Sequence, residues 1–112
     1  MSYPLPMPTQ TVSQSPIIRI VEAGGLYFRS VLIQEAGTII PQHTHDHDHV
    51  TLVGSGRVRG WQDGECLGDR GPGEVFEIPA GKGHVFQSLE PNTLLTCVHD
   101  VESALSVKRK GL

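Results

Sequence analysis

Hydrophobic positions along the chain come in short β-branched runs separated by turn residues, with no stretch of sustained helical periodicity. Ile17, Ile18, Ile20 and Val21 open the first run, directly after Pro16. Leu26–Gln34, Thr38–His43, Val50–Val53, Arg57–Gln62, Glu65–Gly68, Val75–Ile78, Val85–Leu89 and Thr93–His99 follow. Gly24-Gly25, Gly54-Ser55-Gly56 and Asp63-Gly64 fall between runs, and Asp-Gly is a strong two-residue hairpin signal. Gly71-Pro72-Gly73 and Glu90-Pro91-Asn92 also break the chain. A weak helical turn is expected only near Glu102 to Ser106. About eight or nine short strands in one segment predict a closed barrel or a two-sheet jelly roll. Such a fold hides its strand edges, and its interior can hold a ligand.

A length of 112 residues suits one domain with one modest core. Residues 1–15, with Pro4, Pro6 and Pro8 among Ser, Thr and Gln, read as an extended or flexible arm. Residues 16–101 are expected to form the barrel, and 102–112 a tail. With 38% hydrophobic and 19% charged residues, the composition is that of an ordinary globular protein rather than a disordered one. The formal net charge of −3 argues against nucleic acid as a partner, because phosphate binding needs a concentrated basic face. The single basic cluster, Lys108-Arg109-Lys110, reads as a solvated tail. No segment is apolar for long enough to span a bilayer as a helix, so no membrane partner is expected. The uncharged start, Met1 to Ser15, lacks the pattern of a secretory signal, and a cytoplasmic location is expected. Cys66 and Cys97 are too few for a disulfide scaffold and form no Cys-x-x-Cys pair, so both are expected as reduced, partly buried thiols.

The chemistry concentrates in the histidines. His43, His45, His47 and His49 alternate along one stretch, His84 follows Pro79-Ala80-Gly81-Lys82-Gly83, and His99 ends the last run. Histidines two apart on a strand point to one face, so His43 and His45 can grip one ion together. Imidazole suits zinc, iron, nickel and copper, and suits calcium and magnesium poorly. Taken alone, the tract fits equally an exposed His-rich loop that binds metal loosely. Strand parity alone would also count His47 with His43 and His45.

A wider pattern is present. Gly37 is followed by five residues, His43-x-His45, three residues, His49, six residues and Gly56. Gly73 is followed by five residues, Pro79-x-Gly81, two residues, His84, three residues and Ser88. In order and spacing these segments resemble the two signature motifs of the cupin superfamily. The resemblance implies an all-β fold, the cupin-type double-stranded β-helix or jelly-roll barrel. It also implies one divalent transition metal (iron, zinc, nickel, manganese or copper) held on His43, His45, His49 and His84. A turn at Asp46-His47-Asp48 would then throw His47 outward and bring His49 in. His49 stands where the family has glutamate, and Ser88 where it has asparagine. The second position mainly serves structure. The first removes a negative charge from the ligand set, which makes the bound ion a stronger Lewis acid.

Two physical roles are open for Asp46 and Asp48: accepting a hydrogen bond from a ligand imidazole, or simply forming the turn. Three functions fit the resemblance. One is a metal-dependent oxygenase, isomerase or lyase acting on a small organic molecule. The alternatives are a non-catalytic small-molecule-binding module and a barrel tied together by structural zinc. Arg29, Arg59, Gln62 and Gln87 are candidates to reach a substrate. Cys97 and His99 share a strand face and are expected to line the barrel, His99 as a core or rim residue. Small cupins commonly form homodimers, so the resemblance also implies a second copy of the chain as partner, with the Pro-rich arm from Tyr3 to Pro8 a candidate to cross to it.

Overall fold

The computed structural model describes residues 16–43 and 47–101, apart from the side chains of 41–43. The expected arm, tail and helical turn at Glu102–Ser106 lie outside the described residues. Nine strands are described: β1 (Ile17–Ala23), β2 (Leu26–Ile33), β3 (Ile39–His43), β4 (His49–Ser55), β5 (Val58–Gln62), β6 (Glu65–Arg70), β7 (Val75–Ile78), β8 (His84–Ser88) and β9 (Thr93–Asp100). They form two antiparallel sheets, ordered β1-β2-β9-β4-β7 and β3-β8-β5-β6. The fold is the all-β jelly roll the turn pattern predicts.

The period of two along each strand decides what faces inward. In β4, His49, Thr51 and Val53 are buried while Val50 and Leu52 are exposed. The inward residues toward one end are apolar: Val31, Ile33, Val53, Val58, Phe76, Ile78, Phe86 and Leu95 make one core cluster between the sheets. Each of the larger side chains contributes about 1.5–3 kcal/mol by leaving water. A smaller cluster of Ile39, Trp61, Cys66 and Val85 draws on the opposite parity of β8, since Val85 alternates with His84 and Phe86.

Turn residues do what their backbone requires. Asp63 and Gly64 both take positive φ, 49° and 83°, which gives the β5–β6 hairpin the twist its strands need. Gly56, the last glycine of the first motif, has φ of 73° and lies against Thr93, where an added Cβ would come within 2.8 Å of the Thr93 Cα. Ser88 is fully buried; its Oγ accepts from the Thr38 amide (3.0 Å) and donates to the Glu35 carbonyl (2.7 Å). The side chain thus pins the bend before β3, the strand that carries His43.

The strand β1 is exposed along its whole length on both faces. Ile17, Ile18, Ile20 and Val21 retain between 47% and 58% exposure. No helix among the described residues is long and apolar enough to cross a membrane.

Candidate functional site

At the other end of the barrel the inward residues turn polar. Two of the four expected ligands have described side chains, and both open their strands: His49 is the first residue of β4 and His84 the first of β8. They come from different sheets. Both are buried, at 5% and 1% exposure, and their ring centres lie 5.4 Å apart. A metal about 2.1 Å from an imidazole nitrogen sits about 3.2 Å from the ring centre, so two imidazoles at a tetrahedral angle have centres about 5.2 Å apart. The pair therefore fits a shared ion. The register puts the backbone of His43 opposite His84 across β3 and β8. The side chain of His43 is not among those described, and His45 lies outside the described residues. Among the described residues no three His, Cys, Asp or Glu side chains group tightly enough to hold an ion by themselves.

The surroundings hold these rings in place. His84 packs on Phe86 at 5.1 Å between centres, and Phe86 on Phe76 at 5.0 Å, so an aromatic chain anchors His84 to the core. Before His84, the Gly83 amide donates to the Asp63 carboxylate (2.9 Å) and the Gly83 carbonyl accepts from the Asp63 amide (2.8 Å). The Asp48 carboxylate accepts from the Ala80 amide at 2.7 Å. That bond clasps the histidine-bearing segment to the loop of Pro79 and Gly81, joining the two motifs beside both rings. Neither role weighed for Asp48 in the sequence describes this cross-link.

His47 does not turn outward. It is half-buried, 6.3 Å from His49 between ring centres, and meets His99 edge to face at 4.2 Å. His99 in turn stacks on Tyr27 at 4.7 Å. The His99 Nδ1 lies 2.9 Å from the Asp100 carbonyl. A carbonyl can only accept, so Nδ1 carries the proton and Nε2 of the neutral ring is left as an acceptor. A cleft of ≈390 Å³ runs over this rim: besides Asp48, His49, Pro79 and His99 its lining takes in Val50, Glu77 and Val98, which pair with one another on the outward face of β4, β7 and β9.

One ladder step deeper lies a second polar row. The register pairs Arg29 with Cys97 and Cys97 with Thr51, on the same faces as Val31, Leu95 and Val53. Thr51 Oγ1 and Cys97 Sγ are 3.5 Å apart. Burial pushes the Cys97 thiol above its ordinary range, opposed by the Thr51 hydrogen bond and the Arg29 charge. Both cysteines are free thiols, as the sequence predicts.

Of the four residues considered for substrate contact, Arg59 is committed elsewhere. Its Nε and Nη2 donate to the two carboxylate oxygens of Asp69 at 2.7 and 3.1 Å. Gln87 donates to the Gly37 carbonyl at 3.4 Å. Arg29 makes no ion pair or hydrogen bond with a described residue.

By sequence, no protein-family model and no curated protein matches the chain. By structure there are many similar folds. KdgF from Halomonas sp. superposes with a TM-score of 0.67 at 26% identity, covering 80% of this chain and 81% of that one. A cupin superfamily protein from Desulfitobacterium hafniense gives 0.66 at 13% identity, covering 83% and 84%. An oxalate decarboxylase variant of Bacillus subtilis gives 0.67 at 21% identity, covering 80% of this chain and 26% of that one. Strand order and these neighbours together give the chain a small cupin-type jelly-roll fold. Its likeness to KdgF runs over most of both chains, whereas the oxalate decarboxylase contains a unit of this kind within a longer one.

Proposed function

We propose that the protein is a metal-dependent enzyme acting on a small organic molecule, with one divalent transition metal held by His43, His45, His49 and His84. The observation that carries this reading is the His49–His84 pair. The two buried rings converge from opposite sheets at a spacing that suits one ion, and His49 also lines an open cleft. A structural zinc site is closed to ligands, whereas a catalytic one keeps a position open. The enzyme reading requires the second kind.

When bound, the ion would polarise an oxygen atom of the substrate or acidify a water. The chain's own residues do the rest. Phe86 and the Asp48–Ala80 clasp hold the ligand rings in register, and Tyr27, His47 and His99 form an aromatic wall beside them. The Nε2 of His99 is available to accept a proton or hydrogen bond from a molecule in the cleft.

Elemental analysis of the purified full-length chain tests the reading, paired with a turnover screen against small carboxylic acids, diketones, thiols and phenols. About one metal per chain with substrate consumption is expected. Oxygen uptake alongside consumption marks an oxygenase, and consumption without it an isomerase or lyase. Tightly held zinc without turnover would replace the enzyme reading by the binding or structural one. A chain that takes up no metal would overturn the site.

A further inference from the structure

We propose that Arg29 is an anion-binding residue of the barrel interior, and that the molecule the site takes carries a carboxylate. The inference deepens the small-molecule reading above and rests on the barrel mouth being a ligand site.

Arg29 stands where a hydrophobic residue would be expected. Two and four positions further along β2, Val31 and Ile33 point inward and are buried in the core at 4% and 1% exposure. Strand alternation puts Arg29 on that same inward face. Its register partner is Cys97, whose thiol feels the Arg29 charge. A long cationic side chain turned toward a barrel interior normally meets a carboxylate there, because an unpaired charge away from water is costly. Arg29 meets none among the described residues. Arg59 provides the contrast within the same molecule: it is also half-buried, and Asp69 grips it with two hydrogen bonds.

The placement also fits a ligand shared with the histidines. Strands β2 and β4 both flank β9. At the backbone, Arg29 and His49 are therefore two strand spacings apart, about 10 Å, and offset by one ladder step, about 7 Å. The same strand parity turns both side chains toward the barrel interior, so one ligand that spans this backbone separation could meet both. A guanidinium binds a carboxylate through two parallel hydrogen bonds, which also orients the rest of the molecule. Tyr27 and His99, one step nearer the mouth, would flank it.

Malonate and its uncharged analogue malonamide serve as probes, titrated by calorimetry into the full-length chain. The protein is used both metal-loaded and after chelator treatment, with circular dichroism to confirm that each form is folded. Malonate is expected to bind both forms, and malonamide at least tenfold more weakly. Arg29→Gln is expected to weaken malonate binding to the chelated form at least tenfold, with partial recovery in Arg29→Lys. Equal binding of malonate by Arg29→Gln, or equal binding of the diamide, would overturn the proposal. Were the chain to take up no metal while malonate binding still depended on Arg29, the anion site would stand and the metal reading would fall. Stoichiometric metal with no response to malonate in the chelated chain would do the reverse.

Discussion

The ring of His47 meets that of His99 edge to face, with centres 4.2 Å apart, and so groups with His99 and Tyr27. Its centre is 6.3 Å from that of His49, wider than the 5.4 Å between His49 and His84. With each centre about 3.2 Å from a shared ion, that spacing would force His47 and His49 nearly opposite one another. His49→Ala and His84→Ala are therefore expected to abolish stoichiometric metal binding, and His47→Ala to leave it in place. Metal is also expected to leave as pH falls below about 6, because imidazole must be neutral to ligate. Elemental analysis of the variants and a pH series on the parent check both points. Equal loss in all three variants would redraw the ligand set.

Cys97 gives an independent view of the interior. Its thiol is held above the ordinary range by burial, with Thr51 and Arg29 pulling it back down. Arg29→Gln and Thr51→Val are each expected to raise it further and to slow alkylation by iodoacetamide at pH 8, where the thiolate reacts. The folded state binds this proton more tightly than the unfolded one. Its contribution to stability is thus complete below the unfolded thiol pKa and is lost as pH rises through the folded value. Chemical denaturation from pH 7 to pH 10 should show less of that loss in Cys97→Ser. Unchanged alkylation in Arg29→Gln would mean that the guanidinium does not reach the thiol.

Ser88 and Gly56 test the structural half of the motifs. Ser88→Ala leaves the Thr38 amide and the Glu35 carbonyl without their buried partner, at a cost of about 1–3 kcal/mol. Gly56→Ala combines a positive φ with a Cβ pressed on Thr93, and is expected to cost at least as much, about 2–4 kcal/mol. Denaturant melts of both variants provide the check; a loss under about 0.5 kcal/mol in either would show that the bend relaxes freely.

The edge strand β1 presents apolar side chains on both faces and a ladder edge that no described strand pairs. Such edges are normally covered. We propose that a second copy of the chain covers this one, since an antiparallel strand can pair with itself about a two-fold axis. Sedimentation is expected to show a dimer, and Ile20→Lys a shift to monomer with metal uptake retained. A wild-type monomer at about 100 μM would remove the idea, that concentration lying well above the Kd of a standard-sized interface.

Strand positions were legible because β-branched runs and turn glycines mark them from both sides, as with Ile17–Val21 or Asp63-Gly64. The starts of β4 and β8 were not, since histidine carries little strand preference and both runs read as beginning one residue later, at Val50 and Val85. The spacing of His49 and His84 within the motifs is what set them among the expected ligands. Arg29 remained one of four candidates because β2 is apolar on both parities: Phe28 and Leu32 alternate with Val31 and Ile33, so no pattern says which face is inward. The Asp48–Ala80 bond joins residues 32 positions apart, and no local rule connects them. The contact of His47 with His99 was not legible for a similar reason: His99 lies on a distant strand.

The barrel is divided along its axis, with apolar rows from Val31 to Phe86 at one end and Tyr27, Arg29, His49, His84 and His99 at the other. Residues that hold the sheets together are thus different residues from those proposed to meet a ligand. On the proposed reading, exchanging a mouth residue would change what is recognised and leave the floor packed, so this small chain could acquire a new specificity by single substitutions without first acquiring spare stability.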